Sequence, residues 1–321
     1  MAQVVVVGSY VQDHAWLVDR FPQPGETRRA HGFNTGPGGK GFNQAVACLR
    51  QGVATAFIGA IGDDHLGAIA QQFARAENLP CRWQVRKDFP TAASSIVVAA
   101  NGANQIAVNF AANEHLDTDF VRAQDNAFAG AKIVLVQAEN NLDAIATALQ
   151  LGERHRLTRI FNPAPAVPGI DASLLRRADI ITPNETEFSL LLERIAGAAV
   201  EASTLASRGD AELHALARRL GVSTVVITLG AQGCFVSHGD DRRGDAVDHY
   251  RLAPERVNAI DTTGAGDAFS GALAAAMVLF HNAPFHRAIV HANRVAALST
   301  ETVGTAPAMP RFEAVVARFG A

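Results

Sequence analysis

The chain has 321 residues, with 28 Lys and Arg against 31 Asp and Glu, a formal charge of −3, and 48% hydrophobic against 18% charged residues. That apolar share excludes a mostly disordered chain, and at about 150 residues per domain the length suits one large domain or two smaller ones. The near-neutral balance, with no basic stripe, argues against a dedicated nucleic-acid or membrane-surface binder and favours a small neutral or anionic ligand.

In chain order, Met1-Ala2-Gln3 runs straight into Val4–Val7, a buried strand, with no basic leader before it. A cytoplasmic protein is therefore expected. Gln12 to Thr35 has no helical period and contains Phe21-Pro22-Gln23-Pro24-Gly25-Glu26. Helical spacing over Phe42–Arg50 and Leu66–Ala76 flanks a second strand, Ala56–Ile61. Thr91–Ala100 and Gln105–Phe110 read as a hairpin around Asn101-Gly102, a strong turn signal. The segments at about 12–36 and 91–110 would form a small sheet outside the main one, as a lid or a dimer contact. Strands over Ile133–Val136, Arg159–Phe161, Ile180–Thr182 and Val225–Thr228 then alternate with helices over Leu142–Glu153 and Ala211–Leu220. This rhythm predicts an α/β fold in three layers, a mostly parallel sheet with helices on both faces. Gly239–Gly244 reads as a surface loop, and helices follow over Gly266–Phe280, Phe285–Ser299 and Arg311–Phe319. The longest apolar run, Ala272 to Phe280, falls well short of the ~20 residues that span a bilayer. A single domain over residues 1–321 is expected. Cys48, Cys81 and Cys234 form no CxxC pair, which argues against a disulfide framework or zinc site; Cys48 and Cys81 read as core.

The strongest motif is Asp261-Thr262-Thr263-Gly264-Ala265-Gly266-Asp267-Ala268-Phe269, directly before a long apolar helix. Gly264 and Gly266 let backbone N–H groups approach a phosphate at a helix start, where the dipole adds positive potential. Asp267 could take a proton from a hydroxyl beside that phosphate, or merely complement the dipole. The second motif, Gly36-Pro37-Gly38-Gly39-Lys40-Gly41-Phe42-Asn43-Gln44-Ala45, contains GxGxxG, with Asp63 and Asp64 further on. It does not follow the first strand, as a dinucleotide fold requires, and Asn34 and Gly41 break the Walker pattern. The alternatives are close packing against a polyol, with Lys40 and Asn43 as hydrogen-bonding groups, or a glycine turn opening a helix. Asp13, Glu139 and the pair Asn184/Glu187 follow predicted strands at the edge where parallel sheets place ligands, although Asn184 with Glu187 also has capping-box spacing. The eleven histidines form no metal pattern, and neither HExxH nor GxSxG occurs.

Together these runs resemble the ribokinase-like (PfkB) carbohydrate kinases, the ribokinases most of all, almost end to end. The resemblance is carried by Gly8-Ser9 with Asp13, Phe21–Thr27, Gly38–Ala45, Gly62-Asp63-Asp64, Asn162-Pro163-Ala164-Pro165-Ala166, Thr182–Glu187, Thr228-Leu229-Gly230 and Asp261–Asp267. It implies a transferase that moves the γ-phosphoryl group of ATP to the 5-hydroxyl of ribose. Asp267 would be the base, and the N–H groups of Gly264, Ala265 and Gly266 the anion hole. Asp13, Gly39, Lys40, Asn43 and Glu139 would hold the sugar. Asn184 would contact ATP phosphates, Glu187 would act on Mg²⁺ through water, and Thr228, Leu229, Gly230, Gly233, Gly266 and Asn293 would line the nucleotide pocket. Asp261, Thr263, Ser299, Thr302 and Gly304 would hold a monovalent cation, usually K⁺, and a homodimer would form through the small sheet. Three positions depart from the family. Val11 replaces an Asn that binds sugar, pointing to a 2-deoxy sugar or another furanose; Phe42 replaces a small Ala, with a reshaped pocket expected; and Ala308 replaces a cation-binding Ser, with weaker or no K⁺ dependence expected. The rival readings are a deoxyribokinase or nucleoside kinase, a nicotinamide-dependent oxidoreductase built on GxGxxG, and a catalytically silent sugar-binding protein.

Overall fold

Residues 1–320 are described by a computed structural model. Its strands in chain order are β1 (Val4–Val7), β2 (Val11–Val18), β3 (Gly32–Gly38), β4 (Thr55–Gly62), β5 (Cys81–Arg86), β6 (Ala93–Ala99), β7 (Asn104–Asn109), β8 (Ile133–Val136), β9 (Thr158–Phe161), β10 (Ile180–Ile181), β11 (Thr224–Thr228), β12 (Cys234–His238) and β13 (His249–Leu252). The longer helices are α1 (Lys40–Arg50), α2 (His65–Ala76), α3 (Leu142–Arg154), α4 (Glu185–Ala196), α5 (Asp210–Arg218), α6 (Ala265–Leu279), α7 (Phe285–Ser299) and α8 (Phe312–Phe319).

Four consecutive valines make β1, and the fold buries both of its faces. Val4 and Val6 enter one apolar core with Phe42, Leu273 and Ile289, on the side of α1, α6 and α7. Val5 and Val7 enter the other with Ile145, Phe188 and Leu213, on the side of α3, α4 and α5. A strand covered on both faces loses polar alternation and reads as one apolar run. The nine-stranded main sheet runs β13-β12-β11-β10-β9-β8-β1-β4-β5, and the second sheet runs β3-β2-β6-β7. β2 pairs antiparallel with β3 and parallel with β6, and β6 pairs antiparallel with β7. Among the described residues no helix is long and apolar enough to cross a membrane.

Several expectations need correcting. β5, β12, β13 and α4 carried no assignment in the sequence. β5 and β13 are half-buried edge segments (Cys-Arg-Trp-Gln-Val-Arg and His-Tyr-Arg-Leu) with no apolar run, and β12 turns back antiparallel on β11. Helix α4 begins at the Asn184 cap and buries Phe188, Leu191 and Leu192. The expected surface loop over Gly239–Gly244 is found, with Asp240, Asp241, Arg242 and Gly244 exposed; just beyond it Asp245 is buried, accepting from Tyr250 Oη (2.8 Å) and the His286 N–H (2.8 Å).

Candidate active site

The chain leaves β1 towards β4 and β5 on one side and returns to β8 on the other. Such a reversal opens a crevice beyond the carboxyl ends of the two central strands. Gly8 and Ser9 follow β1 there, and Glu139 follows β8. The Ser9 hydroxyl donates to Glu139 Oε2 at 2.6 Å, and the Lys40 N–H donates to the same oxygen at 2.9 Å. Burial pushes the Glu139 carboxyl up, against the lowering effect of Lys40.

Asp13 lies on β2, at the junction of the two sheets. Ser94 Oγ–H donates to its Oδ1 at 2.6 Å, and Thr305 Oγ1–H is shared between its Oδ2 at 3.2 Å and Pro37 O at 3.0 Å. Burial still raises its carboxyl above the ordinary range. The glycine-rich run crosses directly over it: a Cβ on Gly38 would sit 2.0 Å from Asp13 Oδ2, and Gly39 has φ of 88°. The run therefore ends β3 and opens α1, clearing space around a carboxylate, and it stands apart from the turn after β1 that a dinucleotide-binding fold would use.

From the first turn of α1, Asn43 Nδ2 donates to Asp267 Oδ2 at 2.9 Å, and from the next residue Gln44 Nε2 donates to Asp267 Oδ1 at 2.9 Å. Asn43 Oδ1 is buried without a partner, an acceptor that a bound hydroxyl would satisfy. Asp267 itself is buried in the first turn of α6, after Gly264 in the left-handed region (φ 80°), where a Cβ would be strained. Of the three N–H groups assigned to the anion hole, that of Ala265 donates to Thr262 O at 3.2 Å. Those of Gly264 and Gly266 have no partner among the described residues.

Lys40 is the cation of this crevice. Burial by itself would lower its ammonium, but Asp267, Glu139, Glu187 and Asp13 together hold it above the usual lysine range. Four carboxylates around one ammonium leave a surplus of negative charge, which would repel a nucleotide polyphosphate unless a cation accompanied it.

On the other side, Asn184 and Glu187 form a complete capping box: Glu187 N–H donates to Asn184 Oδ1 and Asn184 N–H to Glu187 Oε2, both at 2.9 Å. The capping reading of the spacing is thus realised. It uses one oxygen of each residue and leaves Asn184 Nδ2 and Glu187 Oε1 without a protein partner among the described residues. Asn184 also bridges to Thr228 at the end of β11. Leu229 and Gly230 open the turn to β12, and Gly233 closes it with φ of 82°, where a Cβ would meet Leu252 O at 2.1 Å. Asn293 on α7 donates to Ala253 O at 3.0 Å. Near the start of α6, Asp261 accepts from Thr263 N–H (3.0 Å) and Gly304 N–H (2.9 Å), which draws the 261–263 and 299–304 segments together. Ser299 Oγ is spent on its own helix, at Ala296 O.

Residues 1–311 match the family model described as pfkB family carbohydrate kinase. The chain belongs to that family. It is 34% identical over 310 residues to the ribokinase of Mus musculus, covering 96% of this chain and 92% of that one. The ribokinase structure from Giardia lamblia superposes with a TM-score of 0.87 at 27% identity, over 99% of this kinase and 98% of that chain. That of Arabidopsis thaliana ribokinase complexed with ribose and ATP gives 0.77 at 28%, over 99% and 98%.

Two departures from the family fall differently in the structure. Val11 is buried at the start of β2, two residues before Asp13. Phe42 lies among Tyr10, Phe57, Phe73 and Trp83, so the expected effect on the kinase's crevice is replaced by an aromatic core contact. Ser94, Thr305, Gln44 and Gln137 had no role in the sequence reading. Gln44 lies inside the Gly36–Ala45 run, but nothing in that run distinguishes a buried amide from a helix-surface one. The histidines, patternless in sequence, include one spatial group: ligand atoms of His214, Asp248 and His249 lie within 4.8 Å of one another. The two rings stack at 4.6 Å and 25°, so one ion could not lie in both ring planes.

Proposed function

We propose that this kinase transfers the γ-phosphoryl group of ATP to the primary hydroxyl of a pentose, ribose first, with Asp267 as general base. The observation that carries this reading is the Asp267 carboxylate. It sits at a helix start with glycine N–H groups beside it, between a sugar-side group (Asp13, Lys40, Asn43, Glu139) and a nucleotide-side group (Asn184, Glu187, Thr228). Phosphoryl transfer asks for positioning and charge stabilisation more than covalent chemistry. Asp13 and Glu139 accept hydrogen bonds from sugar hydroxyls, Asn43 Oδ1 accepts another, and Gly39 and Lys40 close the wall. Asp267 takes the proton from the primary hydroxyl as its oxygen attacks phosphorus in line. The Gly264, Ala265 and Gly266 N–H groups and the α6 dipole stabilise the transferring group, and the Leu229–Gly233 turn with Asn293 flanks the nucleotide.

Bound Mg²⁺ would neutralise the phosphates, and Glu187 Oε1 is the free carboxylate oxygen placed to hold its water shell. For a monovalent cation the fit is one of oxygen donors only, the Asp261 carboxylate and the carbonyls of Thr263, Ser299, Thr302 and Gly304. Ala308 adds no hydroxyl, and weak K⁺ dependence is expected.

The small sheet acts as a lid of the single domain and, in a homodimer, as the contact with a second copy. In support, every residue of β7 is exposed. Ile106 (54% exposed) and Val108 (41%) share the face of Asp13 through their pairing with Ile96 and Ser94. Ile106→Asp is expected to give a monomer by sedimentation.

Val11 favours a second reading, since a buried valine offers no hydrogen bond to a sugar hydroxyl: 2-deoxyribose in place of ribose. ATP consumption with Mg²⁺ over ribose, 2-deoxyribose, other pentoses, hexoses and nucleosides, with and without K⁺, tests both. Ribose strongly preferred supports the first reading, and 2-deoxyribose preferred supports the second. No turnover on any sugar would overturn the proposal.

A further inference from the structure

Behind Asp267 lies a row of buried amides whose direction is fixed from one end. The carbonyl of Thr182 can only accept, and Asn162 Nδ2 donates to it at 2.7 Å. Asn162 must therefore present its Oδ1 on the other side, where Gln44 Nε2 donates at 3.0 Å. The second hydrogen of the same nitrogen goes to Asp267 Oδ1 at 2.9 Å. With both hydrogens spent, Gln44 Oε1 points away from the carboxylate and accepts from Gln137 Nε2 at 2.6 Å. Gln44 and Gln137 are fully buried, and each amide has one donor end and one acceptor end, so reversing one would set like atoms together at each junction it makes.

The row ends badly by ordinary standards. Gln137 Oε1 is buried with no partner, and it sits where a Cβ on Gly8 would be, 2.2 Å away. Burying an unsatisfied acceptor is costly, and an apolar residue at 137 would avoid it. It would instead strand Gln44 Oε1 and free the Gln44 amide to turn. Broken rules of this kind collect where function demands them.

We propose that Gln44 and Gln137 are positioning residues that hold the plane of the Asp267 carboxylate, with Asn162 and the Thr182 carbonyl as the fixed end of the row. This rests on Asp267 being the base. Asn43 binds the other carboxylate oxygen, so the two donors from adjacent residues of α1 stop the carboxylate from rotating. Gln137 reaches Asp267 only through Gln44. Both donors are neutral amides, so the carboxylate is held by hydrogen bonds alone, and the Lys40 ammonium acts on it only through space.

The test is a double-mutant cycle on the full chain with ATP, Mg²⁺ and the preferred sugar, under single-turnover conditions. Gln44→Leu is expected to lower the rate of phosphoryl transfer by about 10–100-fold, the scale of a misplaced catalytic group, with KM for sugar and ATP within about 3-fold. In an Asp267→Ala background the same change should alter the residual rate by less than about 3-fold, because nothing is left to orient. Gln137→Met, a milder change that never touches the carboxylate, should repeat the pattern at smaller amplitude, and it decides the matter if Gln44→Leu fails to fold. Equal losses in both backgrounds, or losses in KM at unchanged rate, would overturn the positioning role. Full activity of Asp267→Ala itself would instead overturn the base assignment on which it rests.

Discussion

Asp267 is a buried carboxylate and Asp13 a half-buried one, with different partners. Asp267 accepts amide N–H groups, whereas Asp13 accepts hydroxyls from Ser94 and Thr305, which can turn aside for a ligand. Asp267→Asn should lower kcat by about 10²–10⁴-fold, the usual contribution of a general base, with little change in sugar KM, as measured by steady-state kinetics. Glu139 makes a stability prediction. Its carboxyl is raised mainly by burial, so the folded state binds its proton more readily than the unfolded chain does. Its contribution to stability is full below the ordinary carboxylate range and is lost as pH rises through the raised value. Glu139→Gln should therefore raise Tm by a few degrees at pH 7–8 in the absence of ligand, with the gain vanishing towards pH 4, while sugar affinity falls. Thermal unfolding across pH checks this. At this scale the carboxylates and glycines were legible because their local motifs name them. Ser94, Thr305 and Gln137 were not, since each acts through a partner distant in sequence.

Helix α1 ties these residues into one element. Its first turns present Lys40, Asn43 and Gln44 to the crevice, while Phe42 and Cys48 enter the core behind. At its far end Arg50 pairs with Glu77 at 2.7 Å and donates to Pro307 O, and Gln51 Nε2 donates to Pro310 O. Gln51 Oε1 is hydrogen-bonded to His291 Nε2 of α7 at 2.9 Å. Burial, with Arg294 and Arg287 nearby, lowers His291 from 6.5 to about 4. The unfolded chain thus binds that proton first, and the histidine's contribution to stability is lost as pH falls from 6.5 towards 4. By linkage this reaches up to about 3 kcal/mol. Denaturant titrations at pH 7 and pH 4.5 should show this loss, and His291→Gln should flatten it. The periodicity of α1 was legible, and so was its first turn at the crevice, through Lys40 and Asn43; that Gln44 joins them while Phe42 turns to the core was not. Its polar and apolar residues are interleaved, and only the packing of α6 against it decides the phase.

Over the whole molecule, the strand–helix alternation announced the central layer, and the strands that escaped notice are those half exposed or antiparallel. The small sheet was legible as non-helical segments with a turn signal. Its pairing was not, because β2 and β6 join in parallel across intervening chain. The crevice draws on both sheets: Asp13 comes from the small one, Glu139 from the end of β8 and Asp267 from α6. Loss of sugar affinity should therefore accompany any change that separates the sheets. One such change is Asn113→Ala, since Asn113 Nδ2 donates to Tyr10 O at 2.8 Å between β1 and β2; calorimetric titration with sugar checks it.

The hydrogen bond from Thr305 to Asp13 closes a loop of 292 residues, and that from Asn43 to Asp267 one of 224. Contacts of such sequence separation are late and entropically expensive to form. The centre of this molecule is thus an end product of its folding, completed only when the last part of the chain has docked on the first. On dilution from denaturant, helical circular dichroism should return before catalytic turnover, with turnover following the slowest phase. During synthesis the same order would leave the growing chain folded in part and chemically silent until residues beyond Thr305 emerge.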